Sequence, residues 1–403
     1  MIKINATARS VNLDPREAQF YADPYPIYRR VQAECPVFQW EQYGHWCFSR
    51  YEDVNALLRD RRFGRQILHV ASREELGWPE PASHLRVFTD HEQHSLLELE
   101  PPVHTRLRGL ISRAFLSRQI ERLRPFLLNL ANDLVDQFKA QDEEELLTAY
   151  ATPIPVQVIC HLLGAPADMA DQFLAWSHDH VGMYMAKRDR AAEDKAVKAV
   201  SEFSAYMRKL IAERRRDLKD DLLSELIRAE AEGQKLSEDE LVTTAILILN
   251  AGHEATVHSL GNGIKAVLQR GLAGPITPEL VEEILRFDPP LHMFTRYALE
   301  DIEFGGLRLK KGETVGLMLG AANHDAAKFA SPEIFDPTRA PNPHLSFGAG
   351  IHFCIGAPLA RLEMLVALEV LFRRLPHLRL TETPRYKDVY HFHGLEKLMV
   401  APS

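Results

Sequence analysis

Phe347-Gly348-Ala349-Gly350-Ile351-His352-Phe353-Cys354-Ile355-Gly356, followed by Ala-Pro-Leu-Ala-Arg361 and a clearly helical pattern, is the stretch on which the reading of this chain turns. A cysteine at a helix start has its thiolate stabilised by the N-terminal dipole and by backbone N–H groups, which makes it a ligand or a nucleophile. Gly348, Gly350 and Gly356 let the backbone approach a flat partner that a side chain would hold off. Three readings compete. A small buried thiol is the commonest fate of an isolated cysteine, but it leaves the glycine spacing and His352 unexplained. Zinc on His344, His352 and Cys354 has a cramped His-x-Cys spacing, no Cys-x-x-Cys and no evident fourth ligand. A nucleophilic Cys354 needs a base and an orienting group, which the residues alone neither supply nor exclude.

Working outward, the 403 residues are 46% apolar and 26% charged, enough for a large core and unlike a collagenous, low-complexity or disordered chain. The balance of 48 Lys+Arg against 56 Asp+Glu gives net −8, which argues against bulk binding to nucleic acid or anionic lipid. Cys35, Cys47, Cys160 and Cys354 are too few and too scattered for a disulfide framework, so a reducing, cytoplasmic setting is expected. The N-terminus has no apolar stretch of signal-peptide length. The uncharged stretches 146–167 and 340–360 hold too many prolines and polar side chains to cross a bilayer, so no membrane partner is expected.

No repeat, linker or charge block divides the chain, and one domain over 1–403 is the simpler expectation. Residues 36–50 and about 295–320 carry the strand signals, the latter with a hairpin around Gly305-Gly306. The remainder has helical spacing. Ile120, Leu123, Leu127, Leu130, Leu134 and Phe138 form one apolar stripe. Ser237 and Glu240 form a capping-box pattern ahead of a run, Leu241 to Leu249, that is apolar nearly all round and belongs inside a large fold. The charged segment 180–235, with Arg214-Arg215-Arg216, reads as solvent-facing amphipathic helices.

Other residues invite attention without deciding anything alone. Glu283 and Arg286 in VEEILRFDPP share a helix face at a spacing of three. His104 and Arg108 share one at a spacing of four. Ala251-Gly252-His253-Glu254-Ala255-Thr256 places a glycine and small residues in the middle of the buried helix, at a cost of about 1 kcal/mol for Gly over Ala. Close helix packing would by itself explain them.

The 347–356 stretch resembles, at every defining position, the heme-binding loop of the cytochrome P-450 family, in which the cysteine gives the axial thiolate to heme iron. The other segments match in the family's order along nearly the whole chain. The resemblance implies a mainly α fold with a smaller β region, with the heme between the central oxygen-binding helix and the helix after the Cys loop. It assigns heme b (iron protoporphyrin IX) to Phe347, Gly348, His352, Cys354 and Gly356, with Ala251 from the central helix. His104, Arg108, Arg296 and His352 match the positions that contact the heme propionates. Glu283 and Arg286 match the Glu-x-x-Arg pair, with Arg339 where a third partner would sit, as a structural network rather than a catalytic dyad.

The segment around Glu254 resembles the oxygen-binding kink, with Ala251 and Ala255 leaving room over the iron and Glu254 serving proton delivery. The family's commonest pattern has threonine immediately after the acid. Here Ala255 takes that place and Thr256 follows one residue later, turned about 100° around the helix. Ordered water, Thr256 or a substrate hydroxyl is then expected to complete the relay.

The implied activity is a monooxygenase inserting one atom of O2 into a small apolar or amphipathic organic substrate. Ile248, Ala251, Ala255, Met293, Phe294 and Phe392 are the expected lining, and Leu85–Leu97 with Met183–Met185 the entrance. No nucleotide-binding fingerprint accompanies a strand. Electrons from NAD(P)H are therefore expected through a ferredoxin or flavodoxin-type donor and its reductase, docking near Arg113 or Arg361, with the enzyme a monomer. Rival readings are a peroxide-using or non-oxygenating heme-thiolate enzyme and a non-catalytic heme or small-molecule sensor.

Overall fold

The apolar run at 241–249 lies within a 33-residue helix, Glu238–Arg270. Its start is a capping box: Ser237 Oγ accepts the Glu240 N–H at 3.1 Å, and the Glu240 carboxylate accepts the Ser237 N–H at 2.9 Å. Two N-terminal donors that no helical carbonyl can reach are thereby satisfied. The computed structural model describes residues 2–113, 115–184, 188–231, 236–272 and 274–402, mostly helices with a smaller sheet region. Among them no helix is long and apolar enough to cross a membrane.

The chain packs as two compact units, one of Met1–Val70, Leu127–Thr152 and Ala255–Ser403, the other of Ala71–Phe126 and Pro153–Glu254. The first unit holds the sheet. Thr314–Leu317 lies parallel to His45–Phe48 on one side and antiparallel to Phe294–Ala298 on the other, with Val315 opposite Trp46 and Arg296. Alternation along these strands sends Val315 and Leu317 into a core with Phe48, Leu57, Leu58 and Phe63. Leu345 and Ala349 are buried in the same core, so the cysteine loop is rooted in it. The expected hairpin closes on Gly305 and Gly306, both at positive φ, between Ile302–Phe304 and Leu307–Leu309.

The apolar stripe at 120–138 is not one helix. Ser117–Ile120 and a 3-10 turn, Glu121–Leu123, precede the helix Arg124–Phe138. Pro125 has no N–H and suits only the first turn of a helix, which accounts for the break.

The second unit is helical. Its charged stretch forms Arg190–Arg216 and Leu222–Ala231. Phe203 of the former stacks on Phe173 of Ala170–Val181 with ring centroids 5.4 Å apart. Arg214, expected to face solvent, is instead buried, paired with Asp221 and donating to the Gly164 carbonyl at 2.6 Å. An arginine can enter the interior when its guanidinium meets a carboxylate and a carbonyl together.

Candidate active site

The cysteine loop is shaped by backbone that only glycine adopts readily. Gly348 and Gly350 have φ of +68° and +71°, and a Cβ on Gly350 would lie 2.3 Å from the Leu58 carbonyl oxygen. The Cys354 N–H donates to the Phe347 carbonyl at 2.9 Å and closes the loop. Cys354 is exposed just ahead of the 18-residue helix Ala357–Arg374, whereas Cys35, Cys47 and Cys160 are buried. Burial pushes the Cys160 thiol up to about 11 and raises those of Cys47 and Cys35, so the inert, packed role belongs to these three. The zinc reading fails at His344: its Nε2 engages the Glu282 carboxylate at 3.1 Å, and its Nδ1 accepts the Ser346 N–H at 3.3 Å.

Glu283 and Arg286, both on the helix Pro278–Phe287, are fully buried. Arg286 Nε and Nη2 donate to the two carboxylate oxygens at 2.8 and 2.7 Å, and its Nη1 donates to the Asn323 and Pro332 carbonyls. Glu283 also accepts from the Asp336 N–H at 2.9 Å, Arg339 Nε at 3.1 Å and Asn342 Nδ2 at 3.1 Å. Both charges are thus saturated, as burial requires. Asn323 relays this order to the loop, because its Oδ1 accepts the Leu345 N–H at 2.7 Å and its Nδ2 donates to Ser346 Oγ at 2.9 Å.

A second carboxylate, missed in the sequence, acts beside it. Arg361 donates through Nε and Nη2 to Glu282 at 2.5 and 2.8 Å, and its guanidinium lies 4.5 Å from the centroid of the Phe347 ring. Burial alone would push the Glu282 carboxyl up, but Arg361 and His344 outweigh it and hold it at about 2. The Arg361 fork therefore clamps the cysteine loop. Arg113, the other arginine assigned to partner docking, is exposed.

Of the other expected residues in this unit, Arg296 is buried, donates to the Thr295 carbonyl at 2.8 Å and lies 6.0 Å from the Phe294 ring centroid. Half-buried Phe294 adjoins the loop, since a Cβ on Gly348 would sit 3.4 Å from its ring. Met293 is buried in a core cluster with Phe38 and Trp40. Phe392 is half-buried and bridged to Leu291, and His352 ends the half-turn Gly350–His352.

Over residues 240–264 of the helix Glu238–Arg270 burial is complete except for one stripe: Leu247, Ile248, Gly252, Glu254 and Ala255 are half-buried and Ala251 is exposed. These positions recur every three to four residues and so share a face. Gly252 has a packing role as well, because a Cβ there would meet Ile159 Cδ1 at 2.4 Å. Thr256 is buried, off the stripe, in an unbroken helix, while Ser259 Oγ donates to the Ala255 carbonyl at 2.8 Å. On Val103–Ser112, His104 is buried and Arg108 half-buried. Met183 is buried with Phe88, Ala196 and Val200, and Met185 lies outside the described residues.

The family model for cytochrome P450 matches residues 77–270 and 274–389. The chain belongs to the cytochrome P450 family. This cytochrome P450 is 36% identical over 406 residues to the polyketide biosynthesis cytochrome P450 PksS of Bacillus subtilis (strain 168), covering 96% of this chain and 98% of that one. It is 40% identical over 346 residues, 83% of each chain, to the mycinamicin IV hydroxylase/epoxidase of Micromonospora griseorubida. The solved structure of P450BioI, in complex with hexadec-9Z-enoic acid ligated acyl carrier protein, matches with a TM-score of 0.87 and 33% identity over 95% of this chain and 99% of that one.

The protein is accordingly a cytochrome P450 monooxygenase with the P450 fold, of a family that holds heme iron through a cysteine thiolate. The residues present fit that group. Its only exposed cysteine stands at the N-terminus of a long helix, and a Cβ on Gly356 would lie 3.8 Å from Cys354 Sγ, so the glycine keeps one side of the sulfur uncrowded.

Proposed function

We propose that this cytochrome P450, acting as one catalytic domain over 1–403, inserts one atom of O2 into an apolar or amphipathic organic substrate. Cys354 would give its thiolate to the heme iron, and electrons would come from NAD(P)H through a ferredoxin or flavodoxin-type carrier. The observation that carries this reading is the accessible stripe Ile248–Ala251–Ala255, with Glu254 beside it, in the otherwise buried middle, 240–264, of the helix Glu238–Arg270. Small or aliphatic side chains there give shape without polar demands, and the carboxylate supplies a proton route. The names of the relatives, a hydroxylase/epoxidase of mycinamicin IV and a P450 of polyketide biosynthesis, support oxygen insertion into an organic substrate. The matched P450BioI structure carries an acyl chain on a carrier protein and supports the same class.

Bound heme supplies the reductive activation of O2 and transfer of oxygen. The chain's residues set its position and protons. Cys354 offers its thiolate at the helix N-terminus, where backbone N–H groups lower the cost of the negative charge. Phe347, Gly348 and Gly356 shape the surface beside it, and His104, Arg108, Arg296 and His352 are the donors for the cofactor's two carboxylates. Ala251 and Ala255 leave room, Phe294, Phe392 and Ile248 orient the substrate while Met293 packs in the core, and Glu254 holds and releases protons.

Because Thr256 is buried and Ala255 occupies the open stripe, a water or a hydroxyl of the substrate completes the relay from Glu254. Screening fatty acyl, macrolide and terpenoid compounds for a low-spin to high-spin shift, then turning over the hits with a ferredoxin and reductase, tests the proposal. Hydroxylated product dependent on the carrier is expected. Turnover with peroxide alone, or ligand binding with no product, contradicts it. Ala255→Thr is expected to change product formed per NAD(P)H and the peroxide released.

A further inference from the structure

We propose that His91, Glu92 and His180 form a divalent transition-metal site, of the Zn2+ class, joining the helix Arg86–Glu92 to the helix Ala170–Val181. A ring nitrogen from each histidine and a carboxylate oxygen of Glu92 all lie within 4.8 Å of one another. Tetrahedral Zn2+ with bonds of about 2.0–2.2 Å sets its ligands roughly 3.3 Å apart. The Glu92–His180 edge is already 3.2 Å. The His91 and His180 rings lie 5.5 Å apart at 75°, so both imidazoles converge on one carboxylate.

A plain ion pair accounts for this arrangement poorly. Glu92 can neutralise one imidazolium, yet two rings face it, and His180 keeps its Nδ1 buried with no hydrogen-bond partner among the described residues while the residue is 3% exposed. Two imidazoles and one carboxylate suit a borderline-soft divalent ion, with a fourth position left for water.

Neighbouring groups hold the ligands in place. Tyr184 donates its hydroxyl to Glu92 Oε2 at 2.6 Å, which leaves Oε1 toward His180, and Thr243 Oγ1 lies 3.5 Å from His91 Nδ1. Such outer contacts orient ligands in metal sites. The Glu92 side chain is 16% exposed and Tyr184 46% exposed, which gives an ion a route in from solvent.

A second group, Asp288, His292 and His393, also converges, but the Lys265 ammonium lies 3.0 Å from Asp288 Oδ2, with Tyr25 and Tyr386 on the same carboxylate. A positive charge already sits there, and a divalent ion would add to it in a fully buried place. The inference is therefore confined to the first group.

The test uses heme-loaded protein, freed of adventitious metal by chelator and titrated with ZnCl2 by calorimetry, with metal analysis after equilibrium dialysis. One Zn2+ per chain is expected. The His91→Ala/His180→Ala double variant should weaken binding by about 100-fold or more, and Glu92→Gln, which preserves the Tyr184 contact, by about 10-fold or more. Circular dichroism and an unaltered heme spectrum check that the variants fold, and Glu92→Gln alone decides if the double variant does not. Wild type that holds no Zn2+, or a Glu92→Gln protein that binds as tightly as wild type, overturns the proposal. Neither result bears on the monooxygenase reading, which does not depend on this ion.

Discussion

Glu282 and Glu283 are neighbours on one helix, and each holds an arginine, yet the two pairs belong to different physical regimes. Glu283 and Arg286 are wholly buried, with every charge met by several donors or carbonyls. Glu282 and Arg361 sit at the rim, with side chains 25% and 38% exposed, and the arginine also covers Phe347. The buried pair fixes the 323–342 segment from within, and the rim pair clamps the cysteine loop from outside. Losing one partner of a buried pair strands a charge in low dielectric, whereas losing one at the rim leaves water to take over.

The sharpest break of this comparison is Arg286→Ala. It should cost about 3–5 kcal/mol, a large share of a typical domain's stability, and give little or no folded, heme-loaded protein. Circular dichroism and heme content per chain report it, and near-normal yield would remove the distinction between the pairs. Gly350→Ala comes next, because it combines a left-handed φ with a collision against the Leu58 carbonyl. A loss of at least about 2 kcal/mol in urea unfolding is expected.

Arg361→Ala should cost only about 1 kcal/mol, from a screened fork and a cation–π contact, with the protein folded and heme lost faster to a heme-accepting competitor. The smallest effect is on pH. Glu282 is held at about 2 against an ordinary 4.5, so its contribution is complete above pH 4.5 and disappears as pH falls toward 2. The difference in melting temperature between wild type and Glu282→Gln should be constant above about pH 5 and shrink below pH 4.5.

The same contrast explains what could be read in advance. The cysteine loop and the Glu-x-x-Arg pair were legible because their chemistry is compressed into short stretches, where glycine conformations and helical spacing leave local signals. The capping box at Ser237 and the hairpin at Gly305-Gly306 were legible for that reason too. Glu282 and Arg361 are 79 positions apart, and nothing local tells that the Arg361 guanidinium meets Glu282 and Phe347. Arg214 was misread as a solvent residue on the same ground, since its acceptors, Asp221 and the Gly164 carbonyl, come from other segments. His91, Glu92 and His180 gave no signal at all, because their convergence depends on how two helices pack. The break before Arg124 needed only closer attention to Pro125.

All of this rests on Cys354 as the thiolate ligand. The most direct measurement is the absorption spectrum of the reduced, carbon-monoxide-treated protein, compared with that of Cys354→Ser. The wild type should give the long-wavelength Soret band of thiolate-ligated heme, and the variant should lose it. A variant spectrum identical to that of the wild type, or a wild type that takes up no heme, would contradict the account.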